Sequence, residues 1–164
     1  MLYTLAELER ITGAKRRSLQ LWTDAGVIVA ESSTMHAGSG THRRFSKDEA
    51  IIACAVHAFA RQQMSIGGLK EVATAIRMAM GSQEHRALVD DAIAGKGQCY
   101  LISERWGDEG WTVSLMGGPE LPTSDAKTAR SFVAALVRST SHLQEPNGFA
   151  SLILLNTYAK ALSL

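Results

Sequence analysis

Residues 3–26 read YTLAELERITGAKRRSLQLWTDAG, two short helical patterns, each closed by a glycine. This stretch constrains the fold most. Thr4 and Glu7 have the T-x-x-E spacing of a capping box, and Tyr3 and Leu8 have that of a hydrophobic staple. Leu5, Leu8 and Ile11 form one apolar stripe, and Thr12-Gly13 ends the helix. The second pattern closes at Gly26, a C-cap residue. At about 100° per residue, Arg16, Arg17, Gln20, Thr23 and Asp24 share one arc of this helix, while Ser18, Leu19, Trp22 and Ala25 lie on the other side. A short helix pair joined by a tight turn is a helix-turn-helix arrangement, whose second helix enters the major groove of DNA. Arginine suits guanine and glutamine suits adenine, and both can also bind phosphate. The same pattern also describes a helix pair with a merely solvated polar face.

The next segment predicts a small hairpin. Val27–Val29 is a short apolar run, AGSG at 37–40 is turn material, and THRRF at 41–45 returns. Ser46 and Glu49 repeat the capping-box spacing and start a third helix. A glycine-tipped hairpin between helices, with His42, Arg43 and Arg44 on its return, has the form of a wing. Cations placed there grip phosphate, which fixes register and makes affinity salt-dependent. On a regular strand Arg43 and Arg44 point to opposite faces, so they are expected to have different jobs.

Residues 3 to about 80 resemble the DNA-binding domain of the MerR family of transcription regulators. The resemblance rests on the order YTLAELERITGAKRRSLQLWTDAGVI, a variable wing, THRRFSKDE, a helix, then QQMSIGGLKEVATAIRM. Trp22, Gly26, Arg43 and Phe45 fall in the family's aromatic, glycine, wing-arginine and second aromatic slots, and Ser65-Ile66 opens the fourth helix. The resemblance implies an α+β chain with an N-terminal winged helix-turn-helix. It also implies a homodimer on palindromic double-stranded DNA, with RNA polymerase as a further candidate partner. The candidate DNA-contacting residues are Lys15, Arg16, Arg17, Ser18, Gln20, Trp22, Thr41, His42, Arg43 and Arg44. Arg16, Arg17 and Gln20 are expected to face the groove, and Lys15, Trp22, His42, Arg43 and Arg44 the backbone. The chain departs from the family in reading Gln20-Leu21-Trp22 where arginine-tyrosine-tyrosine is common, and in placing His42 at a usual tyrosine. The family's long dimerisation helix is not evident: SQEHRALVDDAIAGKG offers one short helix from Ser82 to Gly95.

Composition agrees with a division of labour. Residues 1–80 hold ten Lys/Arg against seven Asp/Glu, and the remainder seven against nine. Three regions are therefore expected: 1–80 for DNA, 81–97 as a connecting helix or linker, and 98–164 as a small α/β domain for dimerisation or for a ligand or partner. In the last, QCYLIS and WTVSLMG form a hairpin, Ser124 caps a helix with a stripe through Ala129, Phe132, Val133, Leu136 and Val137, and FASLILLNTYAKAL is read as a strand, although its length permits a helix.

Cys54 and Cys99 are far apart, so neither a disulfide framework nor a zinc site is indicated. The start lacks a signal-peptide pattern, and no run approaches the roughly 18 apolar residues of a membrane span. The expectation is a cytoplasmic protein without metal or cofactor. Cys54 with His57, His85 with Asp90 and Asp91, and Glu104 with Asp108 and Glu109 are each read as packing, solvated face or turn before chemistry. Tyr100, Trp106 and Trp111 suggest hairpin core, or a pocket or interface. The leading expectation is a sequence-specific transcription regulator and not an enzyme. The competing ones are an excisionase-like or architectural DNA-binding protein, and an enzyme targeted by its front domain.

Overall fold

The computed structural model describes residues 1–34, 42–105, 111–118 and 149–154. The order of elements is β1 (Leu2–Thr4), α1 (Leu5–Thr12), α2 (Arg16–Asp24), β2 (Arg44–Ser46), α3 (Lys47–Ala60), α4 (Ile66–Met80), α5 (Gln83–Ile93), β3 (Gln98–Arg105), β4 (Trp111–Gly118) and β5 (Phe149–Leu154). The chain is thus α+β, with a helix-turn-helix at its front.

Local signals build α1 and α2. The Thr4 capping box is complete: the Glu7 carboxylate accepts the Thr4 N–H at 2.6 Å, and Thr4 Oγ1 accepts the Glu7 N–H at 3.2 Å. The Thr4 N–H holds the Glu7 carboxyl below its ordinary pKa, helped by the Thr4 hydroxyl. Gly13, at φ 73°, closes the helix by donating to Glu9 O. Thr12 organises the turn itself: its hydroxyl donates to Leu8 O at 2.7 Å and accepts the Ala14 N–H at 3.0 Å. Tyr3, Leu8, Ile11, Leu19 and Trp22 are buried in one core with Phe45, Ile51, Ile52, Val56 and Phe59.

The expected hairpin between Val27–Val29 and the return strand does not form. Gly26 takes φ 70° and folds the chain back over the end of α2, so the Val27 and Ile28 N–H groups both bond Trp22 O, at 2.8 and 3.3 Å. The Val29 N–H goes to the Glu49 carboxylate at 2.8 Å. With those donors committed, the return strand β2 pairs antiparallel with β1, matching Tyr3 with Phe45. The expected tip of the wing, AGSG, lies outside the described residues.

Ser46 caps α3 through the Glu49 N–H, but the reciprocal half of the expected box is missing. The Glu49 carboxylate binds Arg77 of α4 instead, at 2.6 and 2.9 Å, and Arg77 also donates to Val27 O at 2.6 Å. This nearly buried group ties α3 and α4 to the backbone that follows α2. Ser65 caps α4 and Ser82 caps α5, which ends before Gly95 at φ 71°. The segment read as a connecting helix or linker contains α5, and Arg86 forks onto the Asp48 carboxylate while Lys47 bonds Asp90 at 3.1 Å, joining α5 to the start of α3.

β3 and β4 form the expected hairpin pairing, with Leu101 opposite Leu115. Phe149–Leu154 is a strand, antiparallel to β3, giving the order β4-β3-β5. Cys99, Leu101 and Leu115 share the core with α4 and α5. Gly117 permits that approach: a Cβ there would stand 2.9 Å from Leu88 Cδ2. The helix expected after Ser124 lies outside the described residues.

Candidate nucleic-acid interface

Of the residues singled out, Arg16, Gln20, His42 and Arg43 meet in one open groove of about 730 Å³, which Lys15, Arg17 and Ser18 do not line. Thr4 at the end of β1, Leu5 and Ala6 of α1, Arg16, Gln20 and Asp24 of α2, and His42 and Arg43 before β2 line it. Amphipathic spacing puts Leu19 and Trp22 inside and leaves Arg16, Arg17 and Gln20 exposed.

The start of α2 is electrically unusual. Lys15 is the N-cap and makes no side-chain cap, and the first turn holds no acidic residue. The Glu9 carboxylate takes the Arg16 N–H at 3.3 Å. A helix N-terminus carries partial positive charge and prefers anions. Lys15, Arg16 and Arg17 add three cations there, and none has an ion-pair partner among the described residues. The arrangement costs stability in isolation and suits a surface that receives phosphate.

Arg43 lies at the groove edge, where Nη1 bonds Asp24 Oδ1 at 2.7 Å. Arg44 does not line the groove. It sits opposite Thr4 on β1, and its charge acts on Glu7. Adjacent arginines therefore face different surroundings. Ser18 is half-buried, and Thr41 lies outside the described residues. Trp22, expected at the DNA backbone, is 4% exposed, and its ring centroid stands 6.2 Å from that of His57. It is a core residue that props the helix from within, because helical spacing sets it opposite Arg16 and Gln20.

Residues 3–76 match the family model described as MerR HTH family regulatory protein. This segment is a MerR-type DNA-binding domain. The matched stretch runs from β1 through most of α4 and contains every described residue that lines the groove. The MerR-type domain makes the chain a DNA-binding regulator in the general sense. No curated protein matches the chain significantly.

Cys54, Cys99, His57 and His85 are packed or hydrogen-bonded. Cys54 and Cys99 are buried, and burial pushes their thiols up to about 12 and about 11. Desolvation lowers the His57 pKa, with the Arg61 charge adding to it. His85 Nδ1 contacts Ser82 Oγ at 2.8 Å and Ala79 O at 3.1 Å at the α4–α5 corner. Asp90 pairs with Lys47. Tyr100 is fully buried, while Trp106, Asp108 and Glu109 lie outside the described residues. Among the described residues no group of three His, Cys, Asp or Glu could hold a metal ion, and no helix is long and apolar enough to cross a membrane.

Sequence reasoning missed Asp24 and the Glu49–Arg77 pair. Asp24 was visible only as one polar member of an arc. Its partner is 19 residues away, and helical periodicity says nothing of such a contact.

Proposed function

We propose that this chain is a sequence-specific transcription regulator that binds a palindromic duplex as a homodimer. The observation carrying the reading is the groove that joins the cationic start of α2 to Arg43 before β2. Arg16, Arg17 and Gln20 read base edges, with arginine suited to guanine and glutamine to adenine. Lys15, His42 and Arg43 meet phosphates, which position α2 without reading sequence, while Arg44 does not line the groove. Dimerisation follows from the size of the reading element. α2 has nine residues and reaches few base pairs, so two copies on symmetric half-sites supply the discrimination that one cannot. The strands beyond α5 give such a dimer a place to form other than a long helix.

Selection of the full chain against a random duplex pool tests the proposal. The expected product is an inverted repeat. A motif without symmetry overturns the dimer, and failure to enrich any motif overturns sequence-specific binding. Within that assay, Arg43→Ala weakens binding to the recovered duplex and lowers its salt slope by about one unit. Arg17→Ala changes the preferred base instead. Uniform weakening by Arg17→Ala would remove it from the reading set.

A further inference from the structure

An acid lines this groove beside its arginines. Asp24 lies one turn beyond Gln20 on the exposed arc of α2, with its side chain 61% exposed. It is not needed to hold the fold: its partner Arg43 is itself 39% exposed, and pairs of this kind add little stability. A carboxylate in a phosphate-binding surface works against binding, both by repelling phosphate and by occupying a cation that would otherwise meet it.

We infer that Asp24 is a specificity-determining residue, which restrains phosphate-driven binding by holding Arg43 and repelling the DNA backbone. The inference rests on the DNA-binding reading above. Its chemistry is asymmetric between right and wrong sequences. A carboxylate accepts hydrogen bonds and donates none. In the major groove the amino groups it can meet are cytosine N4 and adenine N6. A duplex that presents one of these opposite Asp24 offsets the loss. A duplex that presents only phosphate or carbonyl oxygens does not. Arg43, held at 2.7 Å, is released to phosphate only as Asp24 gains another partner or is forced from its own. The groove thus penalises indiscriminate contact more than correct contact.

Asp24→Asn keeps the shape and removes the charge. The experiment measures binding of the full chain to the duplex recovered by selection and to a scrambled duplex, across a salt series. For the scrambled duplex, Asp24→Asn is expected to tighten binding about three- to tenfold near 0.1 M salt and to steepen the salt slope by about one unit. The selected duplex gains less, so the ratio between the two falls. In the Arg43→Ala background the gain shrinks, because no cation remains to be released. Weaker or unchanged binding of Asp24→Asn to scrambled DNA overturns the inference, since Asp24 would then only position Arg43. A gain undiminished by Arg43→Ala overturns it as well. Both results leave the DNA-binding reading intact, whereas wild-type protein that binds neither duplex overturns the two together.

Discussion

Removing one partner of the Glu49–Arg77 group should destabilise the protein far more than removing any exposed charge. Glu49 keeps 11% of its side chain exposed and Arg77 28%. Arg77 donates to both Glu49 oxygens and to Val27 O, while Glu49 also accepts the Val29 N–H. Glu49→Leu therefore strands a half-buried guanidinium and leaves the Val29 N–H without its acceptor. Loss of one member of a buried pair costs about 3–5 kcal/mol. The exposure of Arg77 to water argues for the lower end, about 3 kcal/mol. Arg77→Met should cost a similar amount, since it leaves the Glu49 carboxylate facing only an N–H. The double variant Glu49→Leu/Arg77→Met removes both charges together. It should be less destabilised than the two singles added, by about 1–3 kcal/mol. Urea unfolding of the full chain measures all four proteins. Single variants costing under about 1 kcal/mol, as an exposed pair would, refute the reasoning. So does a double variant equal to the sum of its singles.

Three further outcomes follow from local geometry. Gly26→Ala should destabilise by about 1–2 kcal/mol, because φ 70° suits glycine while the new methyl meets Lys70 Nζ only at 3.8 Å; Gly67→Ala, in α4 with nothing nearer than 3.9 Å, should instead stabilise by about 0.5–1 kcal/mol, and thermal melts of both variants check the contrast. Native protein at neutral pH should resist thiol alkylation at Cys54 and Cys99, both buried with raised thiol pKa values, and should react in denaturant; rapid native labelling at Cys54 would contradict its place in the core. The Arg86 guanidinium holds the Asp48 carboxyl below its ordinary 3.8, so the pair's stabilisation is fully present above 3.8 and is lost only as pH falls below it through the lowered folded-state value; the stability difference between wild type and Asp48→Asn should be complete at neutral pH and close in strong acid, and a difference that persists there would refute the pairing.

Most of what the sequence made legible was local. Thr4, Gly13, Gly26, Ser46, Ser65 and Ser82 mark helix ends in the structure, because capping is decided within one turn of chain. Pairing was less legible. Val27–Val29 looks like a strand by composition, but its donors are taken by Trp22 O and Glu49, and β2 finds β1 about 40 residues earlier. A three-residue strand such as Leu2–Thr4 carries too little alternation to announce itself. The site followed the same division. Periodicity set Arg16, Arg17 and Gln20 outward and Trp22 inward, and burial agrees. The assignment of Trp22 to DNA came from family position, and the packing of α2 overrides it. Asp24 and Arg77 act through partners 19 and 28 or more residues away, which no local pattern encodes.

The partners of the charged side chains separate fold from function. Glu49–Arg77 is nearly buried and holds α4 and the turn after α2 together. Arg86–Asp48 and Lys47–Asp90 are half-exposed and fasten α5 across the start of α3. These cations are spent within the molecule. Lys15, Arg16 and Arg17 are not: they crowd a helix N-terminus that already carries positive charge, with no side-chain ion pair among the described residues. A chain selected only for stability would place an acid in that turn, where it is worth about 0.3–1 kcal/mol. Glu9 bonds the Arg16 backbone N–H, and Asp24, at the far end of α2, is turned toward Arg43. The unmet charge at the start of α2 is therefore the feature of the free protein that calls most directly for a polyanion. It lies on the same helix as Gln20, whose side chain lines the groove, so under the proposed function a polyanion held there would lie beside Gln20.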